Sequence, residues 1–344
     1  MKTNILTLIT VLLAITFTSC EKEIEFNGEH SDPKLVINSL VEPEQPVKAH
    51  LSKSYFFLDN QANTAAPDDV VAELYVNGNR IGPMTRYVDT LWESSQYYDF
   101  KVLTAFASDY CPQDGDIVKI TATANGFDEV EGTTSALPKI VDCQMDVEVE
   151  EWHSAYYHPY FDAYGEYEED SLLQVWGYLN LTFTITDPNP GKTNCFRLST
   201  RKNYNTNDGE NMRYISYDYD DPIFGTSSFM ENDFFDASDL DTRPEGVFTD
   251  LLFDGNSYRL KVKVYFNCDI DEVFDPDFFR VPFLLEHLSK EYYNYLNTCN
   301  QGDEVAFQIY TEPIQTFSNV NGGFGIVAGR TTDTLWLSLP IEEP

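Results

Sequence analysis

Histidine, cysteine and basic residues are scarce in this chain. Among its 344 residues there are 5 His, 6 Cys and 22 Lys or Arg, against 57 Asp or Glu, so the formal net charge is -35 at pH 7. So negative a protein repels phosphate backbones and anionic lipid headgroups, which argues against nucleic acid as a partner and against membrane binding through the protein body. Cations, basic proteins and neutral ligands remain as possible partners.

The sequence also lacks the spaced motifs that carry most metal and catalytic chemistry. It has no CxxC pair, no GxSxG, no HExxH, no P-loop and no dinucleotide fingerprint. His153 and His158 are close in sequence, but two solvated histidines are the better interpretation. We therefore expect no catalytic residues, no metal site and no cofactor, although carboxylates suited to glycoside hydrolysis can hide among so many acids.

Acidic clusters leave a structural Ca²⁺ site open as an alternative. None follows the twelve-residue calcium loop with its glycine and terminal glutamate, so a solvated acidic surface is the default interpretation. The clusters are Asp218, Asp220 and Asp221; Asp236, Asp239 and Asp241; and Asp269, Asp271 and Glu272.

Long apolar runs are absent after the first 20 residues, so no later transmembrane helix is expected. The run Ile5–Phe17 follows a lysine and precedes small residues, which predicts a signal peptide over residues 1–19. Its end resembles the lipobox of bacterial lipoproteins, in which the cysteine, here Cys20, is acylated and becomes the mature N-terminus. The alternative is an ordinary signal peptide with an incidental cysteine.

Residues 20–33 are predicted to form an acidic tether, because they bury too little apolar surface to fold. Acidic residues directly after such a cysteine resemble the surface-export signal of Bacteroidota lipoproteins. This resemblance implies a protein that is lipid-anchored in the outer membrane and faces the cell exterior.

The other five cysteines leave the disulfide pattern open. In an oxidising compartment they can form up to two disulfides, and Cys268 with Cys299 is one pairing that a helix folding back on its strand would allow. Buried thiols acting as small apolar side chains are an equally good interpretation. The five are Cys111, Cys143, Cys195, Cys268 and Cys299.

Alternating apolar and polar residues predict strands over most of the chain. Asn77 and Gly78, between two such runs, predict a tight hairpin turn. The pattern changes character at Pro138, so we expect an N-terminal domain over residues 34–138 and a C-terminal β-rich domain over 139–344. The predicted fold class is all-β, with two Ig-like or transthyretin-like β-sandwich domains, the second carrying one packed α-helix.

Three local predictions belong to the C-terminal half. Apolar residues at three- and four-residue intervals predict the helix at 282–299. The strand at 172–191 is expected to pair as a hairpin with the segment 194–204. The glycine-rich segment 319–329 is expected to be a bulged strand packed tightly on the core.

Residues 151–170 form the most unusual segment, since aromatic rings are interleaved there with acids and small residues. No clean period is visible, which predicts a long loop, and long loops in compact domains commonly bind something. Tyrosine and tryptophan suit stacking on sugars or docking on a protein, whereas rings merely buried over the sheet are the alternative. The candidate binding residues are Trp152, Tyr156, Tyr157, Tyr160 and Tyr164.

Taken together, the chain resembles the Bacteroidota lipoproteins of domain-of-unknown-function family 4249. The markers are the segments at 41–54, 185–199, 248–262, 288–296 and 317–329, in that order. Residues 70–137 are separately similar to the transthyretin-like sandwiches of carboxypeptidase regulatory domains.

Members of that family are commonly encoded beside TonB-dependent outer-membrane receptors. The resemblance therefore implies a non-enzymatic accessory in nutrient uptake that binds a ligand or the receptor, and it brings no catalytic residues. A cell-surface hydrolase acting on glycan or peptide and a structural or adhesive surface lipoprotein are the alternatives.

Overall fold

The computed structural model describes residues 32–55, 64–94, 99–140, 143–157, 172–200, 213–218, 221–224, 246–270, 280–299 and 316–339. These residues are mostly strands, with one α-helix, and the all-β fold class is thereby confirmed. The elements are β1 Leu35–Val41, β2 Lys48–Lys53, β3 Val71–Val76, β4 Asn79–Pro83, β5 Thr85–Ser94, β6 Asp99–Ala107, β7 Ile117–Thr123, β8 Val130–Ser135, β9 Gln144–Tyr157, β10 Leu172–Thr186, β11 Cys195–Thr200, β12 Arg213–Asp218, β13 Val247–Thr249, β14 Ser257–Ile270, β15 Arg280–Leu288, α1 Lys290–Cys299, β16 Val320–Asn321 and β17 Phe324–Ser338.

One eight-stranded sheet connects the two halves of the chain. Its order is β13-β11-β15-β17-β1-β2-β6-β5, and β17 pairs in parallel with β1 and antiparallel with β15. Two smaller sheets have the orders β12-β14-β10-β9 and β16-β8-β7-β3-β4. The long final strand therefore joins strands from both predicted domain ranges in a single hydrogen-bonded ladder.

Both smaller sheets pack on the same face of the eight-stranded sheet. Alternation along β17 shows this, because Val327 and Leu337 point to the same side of the strand. Val327 belongs to the core under the five-stranded sheet, whereas Leu337 belongs to the core under the four-stranded sheet. Ile326 and Ala328 point to the opposite side, where they pack against α1.

The segment after β8 crosses from one core to the other. The carbonyl oxygen of Pro138 accepts hydrogen bonds from His287 Nδ1 and Thr331 Oγ1, each at 3.1 Å. These bonds fix the crossing at the residue where the sequence pattern changes. The domain ranges 34–138 and 139–344 themselves remain a prediction, and β17 contributes to the cores of both.

Two local predictions are confirmed, the second of them in part. The turn between β3 and β4 has positive φ angles at Asn77 (50°) and Gly78 (79°), as a tight hairpin requires. In the segment 319–329, the close packing is confirmed, because a Cβ atom on Gly329 would collide with the carbonyl oxygen of Ser135. The predicted bulge is wrong, because the segment consists of β16, a turn at 322–323 and the start of β17, whose pairing with β1 has no register shift.

The helix prediction over 282–299 is wrong in its first half. Residues Arg280–Leu288 form β15, which lies between β11 and β17 and is buried on both faces. A strand covered on both sides reads as a continuous apolar run rather than as an alternation, and such a run mimics a helical pattern. The helix begins only after Ser289, whose Oγ accepts the backbone N–H of Tyr292 at 3.3 Å as an N-cap.

The predicted hairpin between the strands at 172–191 and 194–204 is also wrong. β10 pairs with β9 and β14, whereas β11 pairs with β13 and β15 in the other layer. The loop that joins them is held in the crossing conformation by Asn194, whose side-chain amide donates to Asp187 and Asp250 at 2.8 and 2.6 Å.

Within the described residues, no helix is both long and apolar enough to span a bilayer.

Candidate functional site

The first part of the aromatic segment is a strand and not a loop. Trp152, Tyr156 and Tyr157 belong to β9, whose pairing with β10 continues to the pair Tyr157 and Leu172. The loop prediction failed because the β9–β10 register shifts near Glu150, and such a bulge interrupts the period-two pattern. Tyr160 and Tyr164, like Cys20 and the signal peptide, lie outside the described residues.

The bulge depends on Gly177 of β10, which lies opposite Trp152. A Cβ atom on Gly177 would collide with the carbonyl oxygen of Glu151 and would lie 3.2 Å from a ring carbon of Phe266. Glycine thus allows the bulged β9 backbone to approach β10 closely and realigns the residues beyond it.

β9 is an edge strand, since β10 is its only strand partner in the described residues. On the side that faces the core layer, it carries four large side chains, which we call the β9 stripe. Their cross-strand partners on β10 are Leu181, Leu179, Gly177 and Leu173. The β9 stripe consists of Val147, Val149, Trp152 and Tyr156, with exposed fractions of 45%, 47%, 42% and 68%.

Such exposure is unusual on this side of the sheet. The neighbouring positions on β10, including Leu179, Leu181 and Phe183, are completely buried in the core. Among the described side chains of β9, only Met145, at the start of the strand, packs against that core. The β9 stripe therefore continues the apolar surface of β10 outward. In the described part of the chain, the layer that covers these β10 side chains does not extend over the stripe.

The opposite side of β9 is acidic and is paired with bases on β14. Glu150 lies 2.9 Å from Lys263, and Asp146 lies 3.9 Å from Arg259. The hydrogen bond from Lys263 lowers the pKa of Glu150. The two sides of this edge thus differ chemically, one being apolar and aromatic and the other charged.

Sequence reasoning missed a set of aromatic rings on the outer face of the same sheet. Trp176 stacks on His153 at a centroid distance of 5.5 Å, and Tyr178 lies 5.2 Å from Tyr265. The signal was present, because polar and aromatic residues alternate with buried aliphatic ones along β10.

Buried acidic residues act as structural anchors. Asp221, which the sequence assigned to a solvated cluster, is buried and accepts hydrogen bonds from Ile223 N, Tyr258 Oη and Lys261 N. Asp250 is 1% exposed and binds the backbone N–H of Asn194. In the part of the chain that is described, no group of three or more His, Cys, Asp or Glu side chains is arranged to hold a metal ion.

The five cysteines in the described residues form no disulfide. The pairing of Cys268 with Cys299 is wrong, because Cys268 lies in the core under the four-stranded sheet and Cys299 packs on the opposite face of the eight-stranded sheet. Burial raises the pKa of the Cys143 thiol to about 12 and that of Cys195 to about 11, which makes both unreactive near neutral pH.

Two comparisons with known proteins bear on the identity of the chain. No curated protein matches it. The family model described as "Domain of unknown function (DUF4249)" matches residues 21–335, which include every described element up to β17. Its match thus spans all three sheets and the helix, and the chain belongs to this DUF4249 family.

Proposed function

We propose that this protein is a non-enzymatic, lipid-anchored accessory of an outer-membrane receptor in nutrient uptake, and that the β9 stripe is its docking surface. The observation that carries this proposal is the exposure of four large apolar side chains along one edge strand. Contiguous exposed apolar surface is uncommon on soluble domains and marks interaction sites.

The chemistry of the β9 edge indicates what kind of segment a partner would present to it. β9 is an edge strand of its sheet, so an extended segment of another protein can add to it as a further strand. Such a segment would place apolar side chains against Val149 and Trp152. Basic side chains would suit the other side, where Glu148 and Glu151 are exposed.

The membrane anchor rests on the N-terminal sequence. Cys20 follows a predicted signal peptide and precedes an acidic tether, as in surface-exposed lipoproteins. Acyl chains each contribute about 0.8 kcal/mol per buried CH₂, so two or three chains hold a protein on a bilayer without a transmembrane helix. We infer that the anchor restricts the protein to the membrane surface, where it encounters a receptor.

Isolation of the lipidated protein from its native outer membrane tests the proposal. After pull-down in mild detergent, mass spectrometry should find a TonB-dependent receptor at near-equal stoichiometry. The double variant Val149→Ser with Trp152→Ser should lose the receptor while keeping its melting temperature within a few degrees. Recovery of the lipoprotein alone from wild-type membranes would contradict the accessory function.

A matched control uses the same chemistry elsewhere on the surface. Trp336 is 51% exposed on β17, and Val88 is 72% exposed on β5. The double variant Val88→Ser with Trp336→Ser removes a comparable apolar area and should retain the receptor. Loss of the receptor in both double variants would show that the β9 stripe has no special role.

Replacing Cys20 with alanine tests the anchor separately. The variant should lose acylation and leave the membrane fraction, because a protein body with so large a negative net charge has little affinity for a bilayer. Tight membrane association of the Cys20→Ala protein after a high-salt wash would refute the lipoprotein assignment.

A further inference from the structure

A groove of about 320 Å³ lies on the face of the eight-stranded sheet opposite the two smaller sheets. Strands β1, β2 and β17 form its floor, and α1 forms one wall. It is separate from the β9 stripe, because β9 belongs to a sheet that packs on the other face of the eight-stranded sheet. Its lining side chains come mainly from Asn38, Leu40, Lys48, His50, Tyr292 and Tyr295.

The wall of the groove is aromatic and held in place by packing. Tyr292 and Tyr295 are three residues apart on α1, with ring centroids 6.5 Å apart and ring planes inclined by 20°. Tyr292 is 9% exposed and packs in a small core with Leu296, Ile326 and Ala328. The rings are thus fixed before any ligand arrives, which lowers the entropic cost of binding.

The floor supplies positioned polar groups. His50 Nε2 donates to Asp89 Oδ2 at 2.9 Å, and this bond fixes the orientation of the imidazole ring. Since the carboxylate accepts this hydrogen bond, Nε2 is the donor, and Nδ1 is the ring nitrogen that remains for a ligand. Asp89 stays ionised, because its bonds with His50 and the backbone N–H of Thr90 lower its pKa.

Two further groups complete the floor as donors. Asn38 lies opposite His50 in the β1–β2 register, and its Oδ1 accepts the backbone N–H of Ile326 at 3.3 Å. This bond leaves the NH₂ group of Asn38 as the donor. Lys48 is two residues before His50 on β2 and therefore shares its side of the strand.

These properties narrow the class of ligand. A purely apolar molecule would desolvate Asn38, Lys48 and His50 without replacing their hydrogen bonds to water. A strongly anionic ligand would be repelled by Asp89, which lies beside Lys48, and by the negative net charge of the whole protein. A neutral sugar ring satisfies the site, because its C–H faces pack on tyrosine and its hydroxyls both donate and accept.

We infer that this groove binds a neutral sugar of one or two rings. Its volume lies at the lower end of the range of about 300–1,000 Å³ that is typical of small-molecule sites, so a long glycan would fit only by its end. Tyr295 would stack on the sugar, and Asn38, Lys48 and His50 would bind its hydroxyls. This inference is independent of the docking surface in the proposed function.

Isothermal titration calorimetry on the full lipidated protein tests the inference. The detergent must carry no sugar headgroup, and the probes are glucose, galactose, mannose, xylose, cellobiose, maltose and lactose, each titrated to about 10 mM. At least one neutral sugar should bind, whereas glucuronic acid should bind more weakly than glucose. No heat from any neutral sugar, or tighter binding of the uronic acid, would overturn the assignment.

Variants locate the binding in the groove. Tyr295→Ala should weaken sugar binding about tenfold, and Tyr295→Phe should retain most of it because the ring face is kept. Tyr178→Ala, on the outer face of the four-stranded sheet, is the matched control and should bind normally. Equal binding by Tyr295→Ala and wild type would overturn the inference.

A second variant covers the case in which Tyr295→Ala fails to fold. Asn38 is exposed and gives up one long hydrogen bond of 3.3 Å, so Asn38→Ala should lower the melting temperature by only a few degrees and still lower the affinity. Unaltered affinity in a folded Asn38→Ala protein would also count against the groove. Receptor recovery in the pull-down should be the same for these variants and wild type, which separates the two proposals.

Discussion

At the scale of single residues, His287 illustrates how burial sets a pH dependence. The side chain is 2% exposed, stacks on Phe196 at a centroid distance of 5.4 Å and donates from Nδ1 to Pro138 O. Burial lowers its pKa, so the folded protein keeps the ring neutral where the unfolded chain already binds a proton. The segment that crosses between the two cores is therefore held by a hydrogen bond from an uncharged histidine.

This burial predicts a loss of stability in mild acid. The unfolded state binds a proton below about pH 6.5 and the folded state does not, so the free energy of unfolding should fall as the pH drops from about 6.5 towards 5. Urea unfolding measured across this range checks the prediction. In His287→Gln that slope should be much reduced, while the control His153→Gln, which removes an exposed ring, should keep it. A slope unchanged in His287→Gln would contradict the assignment.

Some features of single residues can be predicted from the sequence, and others cannot. The Asn77-Gly78 turn was predictable because positive φ angles are a local requirement of two adjacent residues. The burial of Asp221 was not, since its three donors come from an adjacent turn and from β14, about 40 residues away. A carboxylate that anchors a distant loop looks in sequence like any other acidic residue.

At the scale of elements, β9 and β15 were misassigned for opposite reasons. β15 is buried on both faces and loses its alternation, whereas β9 is exposed on both sides and contains a bulge that shifts its alternation by one residue. Both departures come from the position of a strand within a sheet, and that position depends on pairing between distant segments. The candidate residues Trp152 and Tyr156 were identified from composition alone, without their place on an edge strand.

The bulge in β9 gives a direct test at this scale. Gly177→Ala should push the Glu151 backbone away from β10 and lower the free energy of unfolding by about 1–3 kcal/mol, as overpacking does. Chemical denaturation checks the value. Ser154→Ala, on the same edge, is the control and should stay within about 0.5 kcal/mol of wild type. A Gly177→Ala protein as stable as wild type would show that the bulge is not held by close approach.

At the scale of the whole molecule, β17 joins the two cores. Val327 lies in one core, Leu337 in the other, and the strand pairs along its length with β1 and β15. The sequence predicted two sandwiches in succession, since each half has its own strand pattern. The sharing of β17 by the two halves could not be predicted, because no local sequence pattern indicates that residue 327 lies beside residue 39.

The shared sheet predicts cooperative unfolding of both halves. Leu74→Ala in one core and Phe183→Ala in the other should each cost about 2–5 kcal/mol, and each should shift one common transition. Far-UV circular dichroism and tryptophan fluorescence should report coincident midpoints. An early, separate transition in Leu74→Ala, with the rest of the protein still folded, would show instead that the two halves unfold independently.

We propose that the membrane-anchored protein docks on a receptor through the β9 stripe. Site-specific photo-crosslinking in living cells tests it most directly, with a benzophenone amino acid at Val149 or, as the control, at the exposed Thr334 of β17. We predict that the Val149 position crosslinks to a TonB-dependent receptor on illumination and that the Thr334 position does not. No receptor adduct at Val149, or equal adducts at both positions, would contradict the claim.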